Sequence, residues 1–224
     1  YGYFGTGKSH ALMHFSQKLL DKKTAYLVHT DLTKCFPSLF MDLSNEFMRA
    51  LDPNVLTETV SSTGVTDDSP KSLAKLRRMT ECADTETLRA FASAADEAKI
   101  DEVMLWLQGA NCDKQLIGVK RKIQDDSKAL TVMSALIKLS QKKYRFVGWL
   151  LDEYSNVHPY LEDRKAAALR VKNGLVNLYN SCSTGFIFAF SFTSRQSAIG
   201  SEMIPSSLWE RIASIERSSI SFPM

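Results

Sequence analysis

The chain has 224 residues, of which 44% are hydrophobic and 24% charged, and its formal net charge is +3. This composition is that of a globular protein with a substantial core, and the small charge does not by itself indicate a nucleic-acid partner. No apolar run reaches the roughly 18 residues that a membrane-spanning helix needs. The 4 cysteines are widely spaced and form no CxxC pair, which argues against a zinc site or a disulfide scaffold. We therefore expect a reduced, cytoplasmic compartment.

The chain opens on a glycine-rich segment, residues 2–9, that matches the phosphate-binding pattern GxxxxGK[ST] at every fixed position. Its glycines allow the backbone N–H groups to turn toward phosphates, and the following helix adds the positive end of its dipole. Lys8 is expected to contact the β- and γ-phosphates of ATP, and Ser9 to ligate Mg²⁺. The predicted nucleotide-binding residues are Gly2, Tyr3, Phe4, Gly5, Thr6, Gly7, Lys8, Ser9 and His10.

Helical and strand patterns alternate after this loop. Apolar residues recur at helical spacing as far as residues 21–23, and residues 25–29 form a short apolar strand closed by Thr30 and Asp31. A long helical stretch, residues 36–143, follows with breaks near Pro53, residues 64–70 and residues 109–118. The pattern then predicts a strand, an amphipathic helix, a buried strand and a last helix, at residues 145–151, 163–179, 185–192 and 206–214.

This alternation predicts an α/β fold with a parallel sheet covered on both faces. Residues 36–143 are far more than a crossover needs, so we interpret them as a helical insertion into a P-loop ATPase core formed by residues 1–35 and 144–224. A P-loop follows a buried strand, and only Tyr1 precedes Gly2. We therefore expect the numbered sequence to be part of a larger protein whose first strand precedes it.

Two acids end the strand FVGWLLDE. Because the carboxyl ends of parallel strands form the ligand-binding edge of such sheets, Asp152 and Glu153 are expected at the nucleotide. Asp152 is predicted to hold the Mg²⁺ shell, as the acid of the Walker B motif does. Glu153 is predicted to activate the water that attacks the γ-phosphate, with Asp31 as the reserve for that role.

The next strand also ends in polar residues. Hydrolysing P-loop proteins place a polar sensor near the attacking water at this position, and Thr193 is our candidate, with Ser191 and Ser194 as alternates. A plain strand-end hydroxyl remains the other interpretation, since serine and threonine are frequent at such ends.

Arg211 lies on the helix predicted before a final strand that starts near residues 220–222. AAA-type proteins carry there the arginine finger, which stabilises transition-state charge in a neighbouring subunit. Such a finger implies a homo-oligomer. The alternative is an ordinary exposed helical arginine, and Arg217 is the reserve candidate for the finger.

These motifs resemble the additional-strand P-loop ATPases of the AAA and origin-recognition-like group. The resemblance narrows to the ATP-binding proteins of the BREX phage-defence systems through a W-L-x-G segment, a following G-V pair, an acidic turn and a strand ending L-L-D-E: residues 106–109, 117–119, 123–126 and 146–153. The chain departs from that family after the next strand, where it has Phe192-Thr193-Ser194-Arg195 instead of a glycine-threonine-proline turn. The resemblance implies an oligomeric, Mg²⁺-dependent ATPase that acts in anti-phage defence or another DNA transaction.

Three other functions compete with this one. A GTPase usually carries an N-K-x-D segment, which is absent from this sequence. A nucleotide or small-molecule kinase avoids positioning a water, so the adjacent Glu153 argues against it. A slowly hydrolysing ATP-dependent scaffold or switch stays open.

Basic residues cluster in the helical stretch at residues 71–78, 120–122 and 138–145. Solvated helix faces explain most such runs. A DNA-facing surface on the insertion is the alternative, although the aromatic residues expected of single-strand binders are sparse there.

Overall fold

The computed structural model describes residues 7–20, 24–33, 37, 39–154, 165–182 and 184–191. Three strands form one parallel sheet in the order β1–β2–β3, namely β1 (Ala25–Asp31), β2 (Phe146–Asp152) and β3 (Phe186–Phe190). The described helices are α1 (Lys8–Leu20), α2 (Phe40–Arg49), α3 (Pro53–Ser62), α4 (Pro70–Thr80), α5 (Thr85–Ser93), α6 (Ile100–Leu107), α7 (Asp126–Ser140) and α8 (Lys165–Ser181). The α/β class and the parallel sheet predicted from the sequence are confirmed.

The strand boundaries differ from the sequence-based ones in a way that matters for the site. The predicted end of the first strand at His29 is wrong, because Thr30 pairs with Leu151 and Asp31 pairs with Asp152. Polar residues end an apolar pattern but do not end backbone pairing, since the ladder uses only main-chain groups. The sheet therefore carries polar side chains at its carboxyl edge.

One face of the sheet packs against the helices that lie between β1 and β2. Alternate residues of β1 and β2, including Val28, Trp149 and Leu151, belong to the same buried cluster as residues of α2 to α7. The Trp149 ring meets the Phe47 ring edge-on at 5.0 Å between centroids, and its Nε1 donates to Thr30 Oγ1 at 2.9 Å. The helical stretch thus packs directly on the sheet, and its division from the core as a separate domain stays a prediction.

The other face of the sheet is covered by α1. This helix contacts both β1 and β2, and Leu12 of α1 and Leu150 of β2 are both buried. Residues 25, 27, 29 and 31 of β1 share this face with residues 148, 150 and 152 of β2, because neighbours in register point to the same side. The side chains of Asp31 and Asp152 therefore lie on the α1 side.

Most helices of the long stretch begin with a side-chain cap. The cap residue accepts a hydrogen bond from a backbone N–H of the first turn of α3, α4, α5 and α7, and these residues are Asp52, Ser69, Asp84 and Asp125. A proline occupies the first helical position of α3 and α4, where its missing N–H costs nothing. The predicted breaks near Pro53 and residues 64–70 coincide with these helix starts.

Packing between α8 and α2 depends on a glycine. A Cβ at Gly174 of α8 would lie 2.2 Å from Cγ of Phe40, the first residue of α2. A larger residue there would force the two helices apart. Since α8 follows β2 in the chain, this contact helps to fix the helix that leads from the acidic turn to β3.

Candidate functional site

Helix α1, which begins within the glycine-rich segment, packs against the sheet. Gly7 has φ of 76°, a left-handed conformation that favours glycine, and its carbonyl accepts the first helical hydrogen bond from Ala11 N at 2.8 Å. Lys8 is the first residue of α1, and the side chains of Ser9 and His10 are exposed. The predicted GKS segment therefore opens a helix, as a phosphate-binding loop requires.

Asp152 ends β2 and is buried, with 5% of its surface exposed. Its Oδ1 accepts hydrogen bonds from Ser191 Oγ and from Glu153 N, the latter at 3.0 Å. Its Oδ2 lies 3.9 Å from His29 Nε2. One oxygen of this carboxylate is thus held in place, while the other is not bound as tightly by the described part of the chain.

Glu153 has a backbone conformation that is rare for its residue type, because its φ is 52°. A left-handed non-glycine residue costs on the order of 1 to 3 kcal/mol and persists where surrounding bonds hold it. Here Glu153 N donates to both Asp152 Oδ1 and Ser191 Oγ, each at 3.0 Å. The two adjacent acids therefore differ in exposure: Asp152, the last residue of β2, is buried, and Glu153 is partly exposed.

The ends of both neighbouring strands hold this turn. Tyr154 N donates to Ser191 O, and Ser191 N donates to Leu151 O, both at 2.9 Å. On the other side, Leu32 N donates to Asp152 O at 3.1 Å. The Tyr154 ring is fully buried edge-on to Phe190, and burial raises the pKa of its phenol well above the ordinary value. These contacts fix the backbone from which both acids project.

Ser191 is the hydroxyl that contacts the predicted catalytic acids. It is 4% exposed and directly follows β3, and its Oγ bonds both the side chain of Asp152 and the backbone of Glu153. A strand predicted to extend to residue 192 places Thr193 ahead of Ser191 as the sensor candidate. A strand that ends at Phe190 brings Ser191, the first polar residue after it, to the acidic turn.

Asp31 and His29 join the site from β1. Asp31 is the register partner of Asp152, so the two side chains lie on the same face of neighbouring strands, whose backbones are about 5 Å apart. Asp31 Oδ1 accepts from Thr33 N at 2.8 Å, which holds the exposed carboxylate at the sheet edge. The sequence signal for Asp31 was its position at the end of an apolar strand, and it was considered only as a reserve for Glu153. No pattern in the sequence indicated that His29 lies near Asp152.

The donor set at this edge suits a hard cation. Carboxylate and hydroxyl oxygens are the ligands of Mg²⁺, which usually binds through one or two carboxylates and keeps oxygens of water or phosphate. Asp152 supplies such an oxygen at this edge, and Ser9 carries a hydroxyl in the first turn of α1. Within the described ranges, no group of 3 or more His, Cys, Asp and Glu residues is arranged to hold a metal ion by itself.

Several predicted site residues lie outside the described part of the chain. These are the loop residues Gly2, Tyr3, Phe4, Gly5 and Thr6, the sensor candidates Thr193 and Ser194, and the arginines Arg195, Arg211 and Arg217. The prediction for the side chain of Lys8 also lies outside it. Their roles stay predictions.

The predicted basic clusters differ in how far acids neutralise them. In the third cluster, Lys138 bonds Glu81, and Lys143 bonds Glu58, so these cations stabilise contacts between helices. The first cluster lies on α4 and has exposed side chains at Lys71, Lys75, Arg77 and Arg78. Among the described residues, no acid forms an ion pair with these cations, nor with those of the second cluster, Lys120, Arg121 and Lys122.

In the part of the chain that the structure describes, no helix has the length and apolarity needed to cross a membrane.

Comparison of the chain with protein-family models, with curated proteins and with solved structures found no match.

Proposed function

We propose that this chain binds ATP and hydrolyses it with Mg²⁺, as a P-loop ATPase of the additional-strand, AAA-like kind. The carrying observation is the turn after β2, where buried Asp152 and left-handed Glu153 are both bonded to Ser191. An ordinary acidic turn needs neither a buried carboxylate nor a strained backbone. Its combination with a GKS segment that opens α1, the helix against the same sheet face, supports the ATPase assignment.

Each group has a defined task in the proposed reaction. Backbone N–H groups of residues 2–7 and the Lys8 ammonium bind the β- and γ-phosphates. Ser9 and Asp152 would hold Mg²⁺, which when bound neutralises charge on the phosphate oxygens. Water attacks the γ-phosphorus as the bond to the bridging β–γ oxygen breaks, and Glu153 accepts the proton that the water loses. The products are ADP and inorganic phosphate.

The positions of the strands agree with this mechanism. Because β3 adjoins β2, the strand that ends at Ser191 lies beside the strand that ends in the two acids. Ser191 therefore takes the sensor role as well as Thr193 could, and we propose it as a positioning residue for Asp152 and Glu153. Asp31, on the other side of Asp152, is the residue that we propose as the reserve for positioning water.

Loss of the P-loop lysine tests the phosphate assignment. We expect Lys8→Ala to abolish tight ATP binding, because it removes the side-chain cation on the β- and γ-phosphates. Binding of a fluorescent ATP analogue to the complete protein measures this. Lys18→Ala, at an exposed residue in the last turn of the same helix, is the matched control and should bind normally. Unchanged affinity in folded Lys8→Ala protein would refute the phosphate site.

Loss of the proposed base separates binding from turnover. Glu153→Gln should bind ATP normally and hydrolyse it roughly 10² to 10⁴ times more slowly, the usual effect of removing a general base. Asp152→Asn should instead weaken Mg²⁺-dependent binding. Glu81→Gln, at the other left-handed glutamate, is the control and should hydrolyse at the wild-type rate. Wild-type turnover by Glu153→Gln would move the base role to Asp31.

The assembly proposal rests on Arg211. A finger supplied in trans contributes on the order of 10³-fold or more to turnover, so specific activity should rise with protein concentration. Arg211→Ala and Lys8→Ala subunits are each expected to be inactive alone. Mixed, they restore part of the activity, because an Arg211→Ala subunit keeps its P-loop and receives a finger from its neighbour. Co-assembled but inactive mixtures would exclude Arg211 and leave Arg217 or Arg195.

We further propose that this ATPase serves a bacterial anti-phage defence complex or another DNA transaction in the cytoplasm, with other defence proteins as partners. The BREX-like order of motifs supports this context. Turnover measured with and without DNA distinguishes a motor from the slowly hydrolysing scaffold. Stimulation by DNA supports the motor, and ATP binding with negligible turnover in both conditions supports the scaffold.

A further inference from the structure

Helix α4 presents a row of cations along one side. Lys71, Lys75 and Arg78 lie at spacings of i, i+4 and i+7, which places them on one helix face. Their side chains are exposed, and so is that of Arg77 on the flank of the same helix. The helix itself contains no acidic residue. We call these four residues the α4 basic face.

Two acids that flank this face along the chain, Asp67 and Glu81, have other partners, and the exposed Asp68 forms no ion pair with it among the described residues. Asp67 accepts hydrogen bonds from Ser69 N at 3.1 Å and from Ser72 Oγ at 2.7 Å, and these contacts hold its pKa below the ordinary range. Glu81 is bonded to Lys138. Among the described residues, no carboxylate forms an ion pair with a member of the α4 basic face.

The cations differ in their freedom. Lys75 reaches back so that its Nζ lies against Gly64, just after the end of α3. A cation there interacts favourably with the negative end of the α3 dipole, which gives Lys75 a structural role. Lys71 and Arg78 have no comparable contact among the described residues. They are the cations most available to a partner.

The surroundings of the face exclude two kinds of partner surface. A helix that binds lipid needs its apolar side open, but Leu76 and Thr80 of α4 are turned into the core with 0% and 2% exposure. A protein interface usually centres on large apolar or aromatic anchors. The exposed large hydrophobic residues of the described chain lie elsewhere, at Met13, Phe15, Leu105, Leu116 and Leu169.

With lipid and apolar protein surfaces excluded, the phosphate backbone of a nucleic-acid duplex is the partner that fits the α4 basic face. Lys71 and Arg78 are two helical turns apart, about 10 Å along the axis, and a nucleic-acid duplex presents about six phosphate charges over that length. The face has no exposed aromatic residue on which unpaired bases could stack. Phosphate contacts of this kind bind without reading sequence.

We propose that the α4 basic face binds the phosphate backbone of double-stranded DNA, with Lys71 and Arg78 as phosphate contacts. This proposal names the surface for the DNA transaction proposed above and rests on it for its context.

The test is fluorescence anisotropy of a labelled duplex with the complete protein at 50 and 200 mM salt. Each phosphate contact adds about 0.9 to the slope of log affinity against log salt. Lys71→Ala/Arg78→Ala should therefore lower that slope by about 1.8, so that wild type loses about tenfold more affinity than the variant over this range. The charge-conserving variant Lys71→Arg/Arg78→Lys should retain wild-type binding.

The matched control removes the same charges elsewhere. Lys18→Ala/Arg170→Ala also loses one exposed lysine and one exposed arginine, on α1 and α8, and should keep the wild-type slope. An unchanged slope in Lys71→Ala/Arg78→Ala, an equal loss in the control, or no duplex binding by wild type at 50 mM salt would each overturn the proposal. So would loss of binding to anionic vesicles, but not to duplex, in the α4 variant.

Each sample is also assayed for ATP binding, which keeps the two proposals apart. Duplex binding that fails while ATP binding holds refutes the DNA surface alone. ATP binding that fails while the α4-dependent duplex binding holds refutes the ATPase alone. Normal ATP binding by Lys71→Ala/Arg78→Ala also shows that the variant is folded.

Discussion

Two glutamates with nearly the same positive φ illustrate the two regions of this molecule. Glu81 has φ of 56° and caps the C-terminus of α4 in the helical region, whereas Glu153 has φ of 52° and follows β2 at the sheet edge. A left-handed residue is common at a helix end, where it satisfies the last carbonyls. Glu153 follows a strand and is held by a buried aspartate and a buried serine.

The helical region and the sheet edge use their polar side chains in different ways. In the helical region, polar side chains close helix ends or pair opposite charges across helices, as Asp84 does with Thr87 N and Lys128. At the sheet edge they hold other polar groups in place, at a cost in burial and strain. The helical region behaves as a support, and the edge has the features expected of a site.

The largest effect is expected from a substitution that removes the contact between the helical region and the sheet. Trp149→Ala should lower the free energy of unfolding by about 3 to 5 kcal/mol, because it empties a fully buried position between β2 and α2. Urea denaturation should give a single transition, since one core joins both regions. Leu116→Ala, at a residue that is 44% exposed, is the control with a change below about 0.5 kcal/mol. A second transition in Trp149→Ala would show that the regions fold separately.

Matched serine variants compare a hydroxyl from each region. Ser191→Ala should cost about 1.5 to 3 kcal/mol, because the buried Asp152 carboxylate loses a charge-assisted hydrogen bond. It should also weaken Mg²⁺-dependent ATP binding. Ser44→Ala removes a buried hydroxyl that donates to Met41 O at 2.8 Å within α2, and should cost about 0.5 to 1.5 kcal/mol with ATP binding unchanged. Equal costs and equal ATP binding would contradict the special role of Ser191.

Glycine substitutions at the two left-handed positions separate the backbone strain at each site from the role of the glutamate side chain. Glu153→Gly should raise the free energy of unfolding by up to about 1 kcal/mol, because glycine adopts this conformation without strain, while the proposed hydrolysis is lost. Glu81→Gly gains less, since it also loses the bond to Lys138, and should keep full ATPase activity. Thermal unfolding and phosphate release measure both effects. Destabilisation by Glu153→Gly would mean that its side chain supports the fold.

The smallest effect concerns a charge in the helical region. Burial raises the pKa of Asp84, but hydrogen bonds from Lys128 and Thr87 outweigh it and hold the pKa below the ordinary value. Its charged form therefore stabilises the fold above about pH 4, and this contribution is lost as the pH falls through the folded-state pKa. Asp84→Asn keeps a helix cap and should cost about 0.2 to 1 kcal/mol at pH 7. Urea denaturation at pH 7 and pH 3 should show the difference shrinking in acid, and a constant difference would contradict the pKa assignment.

Local patterns in the sequence determined the elements. Apolar runs marked the three strands, and proline and acidic residues marked helix starts such as those at Pro53 and Pro70. The same patterns identified Asp152 and Glu153, because a buried strand that ends in acids carries them to the sheet edge. These signals have periods of two or about 3.6 residues, so they depend only on neighbours along the chain.

Only the tertiary structure decided which residues lie side by side on neighbouring strands. Whether Ser191 or Thr193 meets the acids depends on where β3 ends, and the register of β1 with β2 alone brings Asp31 and His29 to Asp152. The left-handed backbone of Glu153 likewise follows from bonds to residues on another strand. These contacts join residues far apart in the chain, and no periodic pattern encodes which of two nearby hydroxyls or carboxylates a neighbouring strand will place at the site.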